Sequence, residues 1–183
     1  MFLRGTSRRY GSVAMGFHWL TVVLVGAAYL LAVEGPSSRV FSPEMDGPRA
    51  LHETLGVLVL LVTVLRLLWR LADRVPEEPP MPGWMRLAAR AGHGILYLLL
   101  LAIPGVAILA SWFGAHPVTL LAIGDVGPLL AENAPLGANL FEVHGLLGEA
   151  IVWVAGLHAA AALLHHFWLR DRVLRSMLPG AET

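Results

Sequence analysis

Four histidines carry the chemistry of this sequence: His18, His52, His144 and His158. The last two are 14 residues apart on one apolar stretch. At about 100° per residue, that spacing returns both imidazoles to one face of a helix, roughly 21 Å apart along its axis. The separation nearly spans a hydrocarbon core of about 30 Å, where a polar side chain is costly and is usually retained for a function. A helix built this way offers one axial ligand to each of two stacked haems. His18 and His52 are the residues placed to complete the two pairs.

Elements long enough to hold such pairs are plain in the composition. The 183 residues are 56% hydrophobic and only 14% charged, against about 25% charged in a soluble domain. The apolar residues cluster into runs at 12–33, 50–71, 87–112 and 141–168, each near or above the 20 or so residues that span a bilayer. The reading is an all-α, integral membrane four-helix bundle, one transmembrane domain over residues 1–183. The first run is too long, and too poorly followed by a cleavage site, for a removable signal peptide. Cysteine is absent, which excludes disulfides, thiolate metal sites, iron–sulfur clusters and covalent c-type haem. The net charge is +0, and no nucleic-acid partner is expected.

Charge placement sets an orientation. Arg4, Arg8 and Arg9 precede the first helix, Arg66, Arg70, Arg74, Arg86 and Arg90 surround the second connection, and Arg170, Arg172 and Arg175 follow the fourth helix. The other side has only Arg39 and Arg49. The positive-inside rule then puts both termini in the cytoplasm and the 34–50 and 112–141 loops outside. That outer face is acidic, through Glu34, Glu44, Asp46, Asp125 and Glu132, with Glu53 and Glu142 at helix ends. Pro117, Pro128 and Pro135 argue against a long helix in the 112–141 loop. The expected location is the bacterial inner membrane.

Depth pairs His52 with His144 near the outer face, each opening its helix, and His18 with His158 in the inner half. Two imidazoles are too few for zinc, which wants three or four protein ligands. Haem brings four nitrogens of its own, so the pairs favour two haems b. Gly56, Gly145, Gly148 and Gly156 leave gaps for a flat macrocycle or for close helix packing. His93, which starts the third helix one turn before Tyr97, is the rival of His18 for the inner iron. Arg66 lies 14 residues after His52 and should point into the bundle, where a haem propionate is its natural partner; Arg70 either shares that task or snorkels to headgroups. His165, on the face of His158, is a candidate for quinone or proton contact, and Tyr97 and His93 are candidates for quinone or propionate contact. His166 is expected at the interface and His116 in a loop. Glu149 is a proton-relay candidate, and Pro104 should kink the third helix.

The segments RRYGSVAMGFHWL, LHETLGVLVLLVTVLRLLWR, AGHGILYLLLLAIPG and FEVHGLLGEAIVWVAGLHAAAALLHHF resemble the bacterial cytochrome b561 family. Those are small diheme membrane proteins that include the superoxide:ubiquinone oxidoreductase, and the resemblance covers nearly the whole chain. It implies haem ligation by His18, His52, His144 and His158, and electron exchange with a membrane quinone near one end of the bundle. The leading expectation is superoxide oxidation on the outer face coupled to ubiquinone reduction. Close relatives resemble cytochrome b subunits of hydrogenases, so the alternative is a subunit linking a periplasmic or membrane redox partner to the quinone pool. The acidic outer face departs from the positive funnel that would steer superoxide. A haem-free proton-coupled membrane protein is the alternative of another class.

Overall fold

A computed structural model describes residues 3–32 and 40–180. Its long helices are α1 (Ser12–Leu30), α2 (Asp46–Ala72), α3 (Gly83–Phe113) and α4 (Ala134–Leu164). All four are long and apolar enough to cross a bilayer, so the chain is an all-α, integral membrane four-helix bundle. In lipid a spanning segment must satisfy its own backbone, and a helix does so internally. Large apolar side chains accordingly stand on the outside, among them Leu30, Leu71, Trp153 and Trp168.

Helix starts reach beyond the apolar runs. α2 begins at Asp46, after a short 3-10 turn over Pro43–Met45, and α3 begins at Gly83. The largest change is α4, which starts at Ala134 rather than near 141. Asn133 caps it by accepting the Leu136 N–H, and Pro135 sits in the first turn, where a missing N–H costs nothing. His52, His144 and His93 therefore lie inside α2, α4 and α3 instead of opening them. Pro104 is buried within α3 without ending it. The last turn of α4 widens into a π-turn over His165–Leu169 and stops at Arg170, whose φ is 53°. Val33, Glu34 and Arg39 lie outside the described residues.

Successive helices run antiparallel, and each helix packs most closely on its neighbour in sequence, α3 on α4 and α1 on α2 above all. The chain termini and the α2–α3 connection share one end. There Tyr10 N–H donates to Ser176 O, Glu77 N–H to Ser7 O, and Trp19 Nε1–H to Met177 O. Asp73 ties the knot by accepting Gly5 N–H at 3.0 Å and Trp69 Nε1–H at 3.1 Å. Only glycine fits at position 5, because a Cβ there would collide with Arg74 O. At the other end the 112–141 loop folds a small antiparallel hairpin, β1 (Val118–Leu120) on β2 (Gly124–Val126), with Thr119 opposite Asp125.

Midway between the ends lies an apolar cluster. Val59, Leu99, Leu100 and Ile151 are buried, surrounded by Leu24, Val25, Leu96, Ile103, Leu147 and Val154. On α4 this layer occupies 147, 151 and 154, inside the 144–158 interval. On α2 it takes Val59, halfway between His52 and Arg66. The aliphatic core thus separates two polar levels.

Candidate haem-binding site

At the hairpin-end level, His52 of α2 faces His144 of α4, with ring centres 6.1 Å apart and planes at 88°. Each ring is oriented by a backbone carbonyl. His52 Nδ1 lies 2.9 Å from Ala28 O and His144 Nδ1 3.0 Å from Ile103 O. A carbonyl can only accept, so both protons sit on Nδ1 and both Nε2 atoms keep a free lone pair. The acceptor for His52 exists because α1 ends there: Ala32 N–H turns to Tyr29 O, leaving Ala28 O for the imidazole.

At the termini-end level, His18 of α1 faces His158 of α4 at 6.4 Å and 75°. His93 also approaches His158, at 5.3 Å. His18, His52, His144 and His158 are half-buried, whereas His93 is exposed. Arg66 comes within 3.2 Å of His18 Nδ1 and lies over the Tyr97 ring at 5.4 Å. A guanidinium only donates, so Nδ1 of His18 is here an acceptor and its proton is on Nε2, the reverse of the hairpin-end pair. Arg70 is exposed and lines the same crevice as Tyr10, Arg66, Trp69, Asp73 and Tyr97.

The donor set fits haem. Two imidazoles bound to one iron through nitrogens about 2 Å away place their ring centres roughly 6 Å apart, as in both pairs. Among the described residues no group of three His, Cys, Asp or Glu is gathered for a metal ion. Gly16, Gly56, Gly145, Gly148 and Gly156 leave open space, since a Cβ on any of them would meet nothing within 4 Å. Carbonyl-oriented imidazole is the arrangement that fixes the tautomer of a metal ligand.

His165 donates from Nδ1 to Asp171 Oδ2 at 2.5 Å. His166 Nδ1 is buried without a partner, and His116 stacks on Phe41. Glu149 is exposed and makes no hydrogen bond among the described residues. The sequence reading missed three contributors. Asp171 was legible only as a carboxylate six residues past His165. Glu53 and Thr54 directly follow His52, but their partners lie in the hairpin, which had no signal strong enough to anticipate.

A transmembrane helical bundle with facing histidine pairs above and below an aliphatic core defines a membrane cytochrome b. Residues 9–180 match the model of the prokaryotic cytochrome b561 family, and the chain belongs to that family. It is 32% identical over 181 residues to cytochrome b561 homolog 2 of Escherichia coli (strain K12), covering 97% of this chain and 95% of that protein. It is 34% identical over 181 residues to the "probable superoxide oxidase CybB" of Yersinia pestis, covering 94% and 97%. Cytochrome b562 of Cereibacter sphaeroides matches at 32% over 128 residues, 70% of this chain and 66% of that one. The protein is therefore a bacterial multi-pass membrane protein that binds b-type haem and transfers electrons.

Proposed function

We propose that the chain holds two haems b, one between His52 and His144 and one between His18 and His158, and relays single electrons from the outer face to ubiquinone in the inner membrane. The observation that carries this reading is the carbonyl-set tautomer of His52 and His144, which leaves an Nε2 lone pair on each of two rings whose centres are 6.1 Å apart. Bound haem iron supplies a one-electron couple at each level. The chain's own share is to hold the four imidazoles, to keep water out between the levels with Val59, Leu99, Leu100 and Ile151, and to place Arg66 and Arg70 for anionic propionates. His93, whose ring centre is 5.3 Å from that of His158, is the rival of His18 for the iron at that level. The arginine-rich end, which carries both termini, is the cytoplasmic one by the positive-inside rule.

Superoxide is the leading donor, supported by the printed name of the Yersinia pestis relative. Two superoxide anions lose one electron each to give oxygen, while one quinone gains two electrons and two protons. His165, whose Nδ1–H is held by Asp171 near the arginine-rich end, is the candidate to take up a proton at Nε2 from solvent and hand it to quinone, with Tyr97 and His93 the further candidates for quinone contact. One observation favours the second reading, an electron-transfer subunit for a redox partner. Arg49 is the described arginine of the hairpin end, and it is held by Asp46 at 2.9 Å and Glu53 at 3.1 Å, so it offers little steering to an anion.

A pyridine haemochrome assay of the detergent-purified protein tests the proposal by counting haem per chain. Stopped-flow mixing with superoxide then separates the donors: rapid reduction without any partner supports superoxide, and sluggish reduction supports the relay. A haem count below two breaks the paired-histidine assignment.

A further inference from the structure

The hairpin end holds a second cluster, one helical turn beyond the His52–His144 level. Arg49 precedes His52 by one turn on α2, and Phe141 precedes His144 by one turn on α4. Both reach Phe41: the Arg49 guanidinium lies 5.2 Å from that ring centre and Phe141 meets it edge-on at 5.6 Å. His116 covers Phe41, stacked at 3.5 Å with planes 9° apart. All three rings are half-buried.

The hairpin is latched over this stack by residues that adjoin His52. Thr119 N–H donates to Glu53 Oε2 at 2.6 Å, and Leu121 N–H to Thr54 Oγ1 at 3.1 Å. On the far side Trp112 Nε1–H donates to Val126 O at 3.1 Å. Arg49 is consumed as a tie, held by Asp46, Glu53, Thr119 and the Phe41 ring. Five segments therefore converge about 5 Å, one helical turn, above the outer imidazoles.

We propose that this cluster is a cap on the outer haem level that shuts out protein-sized redox partners while passing small donors, and so sets the specificity of the outer-face reaction. The proposal rests on the reading that His52 and His144 hold a haem. A bulky partner approaching along the bundle axis meets the Phe41–His116 stack first, with the hairpin latched beside it by Glu53 and Thr54. A diatomic donor needs no opening of that stack.

The test uses the full-length, haem-loaded protein in lipid nanodiscs, reduced and then mixed with ferricytochrome c or with ferricyanide. Ferricytochrome c is large and cationic, so the exposed Asp125, Glu132 and Glu142 draw it to the hairpin end. Phe41→Ala removes the stack, and the isosteric Thr54→Val removes one latch. Both should speed oxidation by ferricytochrome c about tenfold, within the span of association rates among variants of one interface, and leave the ferricyanide rate unchanged. Wild-type rates with ferricytochrome c in both variants, at full haem content, would overturn the cap. A wild-type protein with a single haem per chain would overturn the underlying haem assignment as well, and the pigment count tells the two failures apart.

Discussion

His52 Nδ1 sits 2.9 Å from Ala28 O because α1 stops where α2 presents its histidine. A helix terminus that must satisfy a carbonyl thereby fixes the tautomer of a facing imidazole. If His52 and His144 serve one iron, His52→Ala should lower the haemochrome count from two to one per chain, and His144→Ala should do the same. The double variant should lose no more than either single one, as expected for residues acting as a unit. Retention of both haems in His144→Ala would remove it from the ligand set.

Arg66 distinguishes the other level. It donates to His18 Nδ1 at 3.2 Å, an arrangement that would have to change if His18 gave Nε2 to iron, because Nδ1 would then carry the proton. The freed guanidinium would be available to a propionate and would put a positive charge beside the haem of that level. Arg66→Leu should lower the midpoint potential of that haem by roughly 60 mV or more and leave the other unchanged. A spectroelectrochemical titration resolves the two waves.

The helices and histidine levels were readable in the sequence because lipid removes the usual ambiguity: a long apolar run has few structures open to it. The 14-residue interval from His144 to His158 needed only helical geometry to become two levels. What escaped the sequence was decided by polar groups at the ends. Asn133 moved the start of α4 back to Ala134, against the proline signal that favoured loop up to 141. The hairpin escaped because its strands have three residues each, and Glu53 and Thr54 stabilise them from another element. His93 and His18 were also inseparable on spacing alone, and both rings approach His158.

Ile151 belongs to the aliphatic layer between the levels and is 6% exposed. Truncation to alanine removes contacts within that layer and should cost about 2–4 kcal/mol. Thermal unfolding in detergent should show the loss. Both haems should remain, because Ile151 lines neither imidazole pair. Loss of haem before any loss of helix would mean that the layer also shapes the sites.

His116 supplies a pH dependence at the hairpin end. Burial against Phe41 holds its pKa below the ordinary 6.5, and the Arg49 charge adds to the effect while Glu132 opposes it. The unfolded state then binds the proton more readily than the folded one. The stability this group contributes is complete above 6.5 and declines as pH falls through the lowered value. His116→Phe keeps a stacking ring without a titratable nitrogen. Melting temperature measured from pH 7.5 to 4.5 should therefore fall less in this variant than in wild type, and parallel curves would remove His116 from the acid response.

Asp171 orients His165 at 2.5 Å, just past the π-turn that ends α4. The carboxylate fixes the proton on Nδ1 and leaves the lone pair on Nε2. Asp171→Asn keeps the size but not the charge, and its amide can present an N–H to Nδ1 and so reverse the tautomer. If His165 passes a proton to quinone, the variant should lower the quinone-dependent turnover about tenfold or more. Its haem spectrum and both midpoint potentials should stay as in wild type. His165→Ala should fall to the same rate, because the aspartate acts only through the imidazole. Unchanged quinone kinetics in both variants would assign the pair a structural task, closing the end of α4.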